Sequence, residues 1–264
     1  MIESLQNEQV KYVVSLQRRK AREEAHLFVV EGWRFVEEAV RRNAPLKKVF
    51  VCPERETSEW QFLHKRLCER SIPFEEVDKR VFRKMSATEE PQGILAVVRQ
   101  TTYTWADLQI NKNSVLLILD SIQDPGNLGT ILRTALASGV RYVCLTSGTV
   151  DLYNPKVLRS TMGAIFSLVL LPDQQPEDIL NFCRDQGVNI FMGDIQGSSV
   201  YTTKLSNGPL ALVVGNEGNG PSPSFRRADV QCVTIPMSQD VESLNVAIAT
   251  GILLYEVVRQ RSSL

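Results

Sequence analysis

A chain of 264 residues, 43% hydrophobic and 23% charged, has the length and composition of one large globular domain or two modest ones, which excludes a disordered or fibrous protein. Lys+Arg and Asp+Glu balance at 30 each, so net charge gives no support to a nucleic-acid partner. No apolar run reaches membrane-spanning length, Met1–Gln9 has no signal-peptide core, and the five cysteines (Cys52, Cys68, Cys144, Cys183, Cys232) form no C-x-x-C pair, so reduced thiols in a cytoplasm are expected, without a disulfide framework or zinc site.

In chain order, Lys11–Glu24 reads as a charged helix and Leu27–Val30 as a short apolar strand ending at Glu31-Gly32. Trp33–Arg42 sets Phe35, Val36, Ala39 and Val40 at helical spacing, and Asn43-Ala44-Pro45 breaks the pattern. Strand Lys48–Cys52, helix Glu59–Arg70 and strands Phe74–Val77 and Gly93–Val98 complete a small α/β module over residues 1–100. Basic residues cluster within it at Arg18-Arg19-Lys20-Ala21-Arg22 and Arg80–Lys84, and residues 1–105 carry 19 basic against 16 acidic groups. Taken alone, each cluster reads as a solvated helix face.

Residues 101–114 are polar and non-periodic, as a linker would be, and the pattern restarts over 115–264. Strand Val115–Leu119, helix Leu128–Ser138, strand Tyr142–Leu145, helix Pro155–Gly163 and strand Phe166–Leu170 come first. Helix Pro176–Gln186, strands Asn189–Met192, Leu210–Val214 and Gln231–Ile235, and a long helix Leu244–Arg261 follow. Strands alternating with helices predict a mostly parallel sheet covered on both faces, with chemistry in the loops beyond the strands' carboxyl ends.

Three such loops stand out. In Asp120–Gly139 (DSIQDPGNLGTILRTALASG), Asp124-Pro125-Gly126 is turn chemistry and Asn127 is placed to cap the following helix. Arg133 lies off that helix's apolar stripe and leans back over Gly129, so an amide and a guanidinium could share one mouth. Gly215-Asn216-Glu217-Gly218-Asn219-Gly220 follows strand Leu210–Val214, its glycines permitting close backbone approach. Its spacing is neither the dinucleotide fingerprint nor a P-loop, which disfavours a nicotinamide-dependent oxidoreductase. Last, Ile235-Pro236-Met237 precedes Ser243-Leu244-Asn245, two short polar groups at the start of an apolar helix. Each loop alone is compatible with an ordinary turn or cap.

The order of the three is another matter. N-x-x-x-x-x-R in a D-P-G-N-x-G context, then G-N-E-G-x-G, then I-P-M with S-L-N-V-A closely resembles the three motifs of the SpoU (TrmH-like) branch of the SPOUT methyltransferases, over roughly Val115–Arg261. Arg22, Phe28–Gly32 (FVVEG), Glu38-Ala39 and Pro91-Gln92-Gly93 make the amino-terminal module resemble the family's substrate-binding domain, related to ribosomal-protein-like RNA-binding folds.

The resemblance implies an α/β fold whose carboxy-terminal domain ends in a trefoil knot, with a smaller α/β RNA-binding domain before it. It implies transfer of a methyl group from S-adenosylmethionine to a ribose 2′-hydroxyl, the expected RNA being ribosomal. Transfer RNA, or an RNA-binding protein that keeps the fold without the activity, remain alternatives. Arg133, Asn127, Glu217, Ser243 and Asn245 match the family's catalytic set; Gly215, Asn216, Gly218, Ile235, Met237 and Leu244 match its cofactor loops. Arginine is a poor base, so Arg133 is read as binding a substrate phosphate and orienting the 2′-oxygen, with the proton's destination open. A homodimer packed through the knot region, a cytoplasmic location and no metal complete the expectation.

Overall fold

A computed structural model describes residues 1–52, 58–238 and 240–262. The chain forms two compact units: Met1–Thr101 with Tyr153–Phe166, and Thr102–Leu152 with Ser167–Leu264.

The first unit is built on a four-stranded mixed sheet, in the order β1 (Leu27–Glu31), β4 (Ile94–Arg99), β2 (Leu46–Val51), β3 (Phe74–Glu76). Strand β4 runs antiparallel to both β1 and β2, and β3 runs parallel to β2. Its helices are α1 (Glu8–Ser15), α2 (Arg19–Ala25), α3 (Trp33–Arg41), α4 (Ser58–Glu69), α5 (Lys79–Met85) and α7 (Pro155–Thr161). The segment read as one helix over Lys11–Glu24 is two. Arg22 is buried and donates from Nη1 to the carbonyls of Leu16 (2.8 Å) and Gln17 (2.7 Å), satisfying acceptors freed at the break. Helix α5 coincides with the Arg80–Lys84 cluster, which reads in the sequence only as a solvated helix face without bounds. Asp78 starts it, Oδ1 accepting from the Arg80 (2.9 Å) and Val81 (3.4 Å) N–H groups.

The second unit holds an all-parallel six-stranded sheet, in the order β10 (Gln231–Thr234), β8 (Asn189–Ser199), β9 (Leu210–Val214), β5 (Val115–Leu119), β6 (Tyr142–Thr146), β7 (Val169–Gln174). Its two central strands are uninterrupted apolar runs, VLLIL and LALVV, as burial on both faces demands. Around them lie α6 (Pro125–Ala137), α8 (Pro176–Asp185), α9 (Pro223–Arg227) and α10 (Val246–Ser262), with α10 packed on α6. The strand expected at Phe166–Leu170 starts at Val169. A single tight turn precedes it, closed by the Phe166 N–H on the Gly163 carbonyl (3.1 Å). The polar stretch 102–114 packs on this unit, with Leu108 buried and Trp105 stacked on Phe182 at 4.7 Å. Among the described residues, no helix is long and apolar enough to cross a membrane.

Strands β5 and β9 pair in parallel with Leu119 opposite Val214. The loops that follow them therefore leave the sheet side by side, and the Asp120 N–H closes on the Val214 carbonyl at 2.9 Å.

Candidate active site

The glycine-rich loop after β9 folds back on itself. A Cβ on Gly215 would lie 2.0 Å from the Pro221 nitrogen and 2.2 Å from the Gly220 carbonyl carbon, so only glycine fits. Asn216 and Gly220 exchange two main-chain hydrogen bonds (3.1 and 2.9 Å). The Asn216 carboxamide braces the loop from within. Its Oδ1 accepts from the Gly218 (3.0 Å) and Asn219 (3.1 Å) N–H groups, and its Nδ2 donates to the Ser121 carbonyl (2.9 Å).

Glu217 stands at the tip and crosses to the loop after β5. Its Oε1 accepts from the Asp124 N–H and the Asn127 Nδ2 (both 3.1 Å), and Oε2 accepts from the Gln123 N–H (3.2 Å). Burial works against ionisation of this carboxyl, but the Asn127 amide and the main-chain N–H groups outweigh it and hold the pKa below the ordinary carboxylate value. With its oxygens so engaged, Glu217 is a brace and a poor general base.

Asn127 was expected to cap α6. The cap is instead Asp124, whose Oδ1 accepts from the Asn127 N–H at 2.8 Å. Pro125 accounts for the shift, because proline suits the first helical position and so pushes the cap back to the residue before it. The Asn127 side chain is thereby free to bridge. Its Nδ2 donates to Glu217, and its Oδ1 accepts from Asn245 Nδ2 at 3.0 Å. Asn245 in turn caps α10, with Oδ1 accepting from the Ala247 (2.9 Å) and Ile248 (3.3 Å) N–H groups. Asn245, Asn127 and Glu217, far apart in sequence, form one hydrogen-bonded chain.

Beside this chain lies a cavity of about 430 Å³, lined by Gly215, Asn216, Glu217, Gly218, Ile235, Met237, Ser243 and Leu244 among others. Ten of the eleven residues singled out in the sequence lie in the cavity lining or the bridge. Arg133 is the exception. It sits on α6 six residues beyond Asn127, about 9 Å along the helix axis, exposed and outside the cavity lining.

Two features escaped the sequence reading. Asp120 is a buried carboxylate accepting from Thr146 Oγ1 (2.9 Å) and the Ser222 N–H (2.6 Å), which ties three strand-end loops together. Asp194 pairs with Arg226 at 2.5 Å on the cavity wall, and Arg226 Nε donates to the Pro221 carbonyl (2.9 Å). The first left a signal, an acid directly after an apolar strand. The second left none, since 32 positions separate the partners.

Comparison with known proteins decides the family. A model described as the SpoU rRNA Methylase family matches residues 114–255. The chain belongs to that family. A second model, the MRM3-like substrate binding domain, matches residues 7–96. The 23S rRNA (guanosine(2553)-2′-O)-methyltransferase RlmP of Bacillus subtilis is 32% identical, over 97% of this chain and 98% of that protein. The 23S rRNA (uridine(2479)-2′-O)-methyltransferase of Streptomyces viridochromogenes is 30% identical, over 94% and 88%. Among solved structures, an AdoMet-bound rRNA methyltransferase from Sinorhizobium meliloti superposes with a TM-score of 0.88 at 29% identity, covering 98% of this chain and 97% of that one. The similarity to these SpoU proteins spans both units.

Proposed function

We propose that this SpoU protein methylates the 2′-hydroxyl of a ribose in ribosomal RNA, with S-adenosylmethionine as methyl donor. The observation that carries the reading is the hydrogen-bonded chain of Asn245, Asn127 and Glu217, which gathers the three motif loops beside one cavity.

The cavity suits the cofactor. Its volume lies at the low end of the range for small-molecule sites, about 300–1,000 Å³. Val214, Ile235, Leu244 and Leu253 give it an apolar side for an adenine ring, and with Asp194 balanced by Arg226, the carboxylates of Glu217 and Glu242 leave its wall net negative, which favours a cation. Gly215, Asn216, Gly218, Ile235, Met237 and Leu244 would hold the group. When bound, it supplies an electrophilic methyl on a positively charged sulfur.

The chain's own residues have to present the nucleophile. A ribose hydroxyl reacts only when its oxygen is held in line with the methyl. Arg133 has an exposed guanidinium with no ion pair among the described residues, which leaves it open to a phosphate. In this reading it grips the phosphate beside the target ribose and orients the 2′-oxygen. Glu217 and Asn127 fix the loop from which α6 starts, and Asn245 and Ser243 fix the start of α10.

The active form in this proposal is a homodimer working in the cytoplasm. Helix α10 exposes Ile248 and Tyr255 seven residues apart, hence on one face, and a second copy is the occupant assigned to that face. Sedimentation should give about 60 kDa, and a species of about 30 kDa, the mass of one chain, would remove the dimer.

The function is tested with labelled S-adenosylmethionine and RNA from a deletion strain. Label should enter ribose 2′-positions of ribosomal RNA, and Arg133→Ala should reduce transfer at least about a hundredfold, as loss of a substrate-positioning group does. Label confined to transfer RNA would overturn the substrate, absence of transfer the activity, and full transfer by Arg133→Ala the role of the arginine.

A further inference from the structure

Two sequence features have no part in methyl transfer: Phe28–Gly32 (FVVEG) and Pro91-Gln92-Gly93. In the first unit they meet. The Gly32 N–H donates to the Ile94 carbonyl (3.0 Å), the Trp33 N–H to Gln92 Oε1 (3.1 Å), and the Trp33 indole Nε1 to the Gln92 carbonyl (2.8 Å). Gly32 has φ +102°, and a Cβ there would lie 2.9 Å from Gln92 Oε1. Glu31 pins the loop after α5, accepting from Ser86 Oγ (2.5 Å), Thr88 Oγ1 (2.7 Å) and the Ala87 N–H (2.9 Å). These contacts shape a cleft of about 1210 Å³, lined within this unit by residues from α3, α5, α7 and the Glu89–Gly93 loop. It is nearly three times the volume of the cofactor cavity.

Trp33 is half-buried in the cleft wall, its ring oriented by the indole Nε1 hydrogen bond to the Gln92 carbonyl and its main-chain N–H bonded to Gln92 Oε1. Around it stand Arg34 of α3, Arg83 of α5 and Arg159 of α7, all exposed and without an ion pair among the described residues. Arg159 is brought here by a segment that follows β6 in the chain yet is clamped to the first unit at both ends. Tyr153 packs on Phe28 at 4.7 Å and Phe166 on Phe35 at 5.6 Å. Gly163 lies so close to Glu38 that a Cβ would be 2.3 Å from its Cγ.

Two of the four acids of the cleft are engaged. Glu31 is bonded to the loop, and Glu38 pairs with Arg41 (2.6 Å) and Arg42 (2.7 Å). Glu89 and Glu90 remain exposed on the loop. Such a mixed lining is unsuited to tracking a duplex backbone, which needs a broad positive face. A fixed aromatic ring among three separated guanidinium groups suits one unstacked nucleotide instead.

We propose that this cleft captures an unpaired nucleotide of the RNA substrate, its base stacked on Trp33 and neighbouring phosphates held by Arg34, Arg83 and Arg159. The proposal rests on the RNA reading above and adds to it a site and a preference for single-stranded over paired RNA.

The test is fluorescence anisotropy of the full-length protein with a fluorescein-labelled RNA hairpin bearing an unpaired loop, and with a fully paired duplex of equal length. The hairpin should bind more tightly. Arg83→Ala with Arg159→Ala should weaken hairpin binding by about tenfold or more and flatten the slope of log K against log salt by about 1.4, two single-strand phosphate contacts. Trp33→Ala should lose the preference for the hairpin, and Trp33→Phe should keep it. Arg18→Ala with Lys20→Ala removes the same charge outside the cleft and should leave binding within about twofold. Equal binding of hairpin and duplex, an unchanged salt slope in the cleft variant, or an equal loss in the control pair would each overturn the cleft. Methyl transfer to ribosomal RNA with unchanged KM in the cleft variant would overturn it while leaving the activity standing. Hairpin binding lost in that variant, in a protein that transfers no methyl, would sustain the cleft and overturn the activity.

Discussion

In the first unit Glu31 holds the loop of its cleft through two hydroxyls and one N–H, whereas in the second Glu217 holds the loop of its cavity through N–H donors alone. A hydroxyl can turn and accept; an N–H can only donate. The Glu31 contact can therefore rearrange around a neutral side chain, while the Glu217 contact requires an ionised acceptor. The same residue type serves a forgiving brace in one unit and an exacting one in the other, as suits a cleft receiving a flexible polymer and a cavity fitted to one small molecule.

Backbone packing gives the largest test of that contrast. Gly215→Ala puts a methyl within 2.0–2.5 Å of main-chain atoms that no rotamer change can move, so it should cost about 3 kcal/mol or more and eliminate cofactor binding. Gly32→Ala meets only the end of the Gln92 side chain, and its positive φ should cost about 1–2 kcal/mol. In thermal unfolding, Tm should fall further for the first than for the second. Equal shifts would show the two loops to be equally constrained.

Next come the glutamates. Glu217→Gln leaves one oxygen to face three N–H donors and turns an amide against them, so kcat/KM should fall about tenfold, the order of one hydrogen bond to a charged group. Glu31→Gln should change methyl transfer less than about twofold, because Ser86 and Thr88 can accept from the new amide. A pH series sharpens the difference. The Glu217 pKa is depressed in the folded protein, so its bracing is complete above the ordinary value of 4.5 and is lost as pH falls through the lower, folded value. Cofactor affinity titrated downward from neutrality should show this acid limb in the parent protein and not in Glu217→Gln.

What the sequence displayed depended on how local the cause was. The sheet centre was legible because β5 and β9 are unbroken apolar runs, each stopped by a residue that marks the strand end, Asp120 and Gly215. The loops were legible by their order. The break between α1 and α2 was not, since Arg22 sits in a run of surface charges and only its burial discloses its role. Helix α9, five residues long, is too short to establish a period. The docking of α7 was hidden for another reason. An apolar face states that something covers it without stating which sheet does, and the partners of Tyr153 and Phe166 lie more than a hundred positions upstream.

The smallest expected effect separates stability from bridging, and it uses the two asparagine caps. Asn7 caps α1 through one side-chain contact, accepting from the Gln9 N–H at 2.9 Å, with no second side-chain partner among the described residues. Asn245 caps α10 through two such contacts and also donates from Nδ2 to Asn127. Asn7→Ala should therefore cost about 1 kcal/mol of stability with methyl transfer unchanged. Asn245→Asp keeps the capping oxygen, and its charge is favoured at a helix N-terminus, so Tm should stay close to that of the parent. It replaces the donor with a second acceptor facing Asn127 Oδ1, whose own amide is committed to Glu217. Methyl transfer should drop about five- to tenfold, the worth of one hydrogen bond turned to repulsion. Should Asn245→Asp retain full activity at parental stability, Asn245 would be a cap like Asn7, and the link between the α10 start and the Glu217 loop would carry no functional weight.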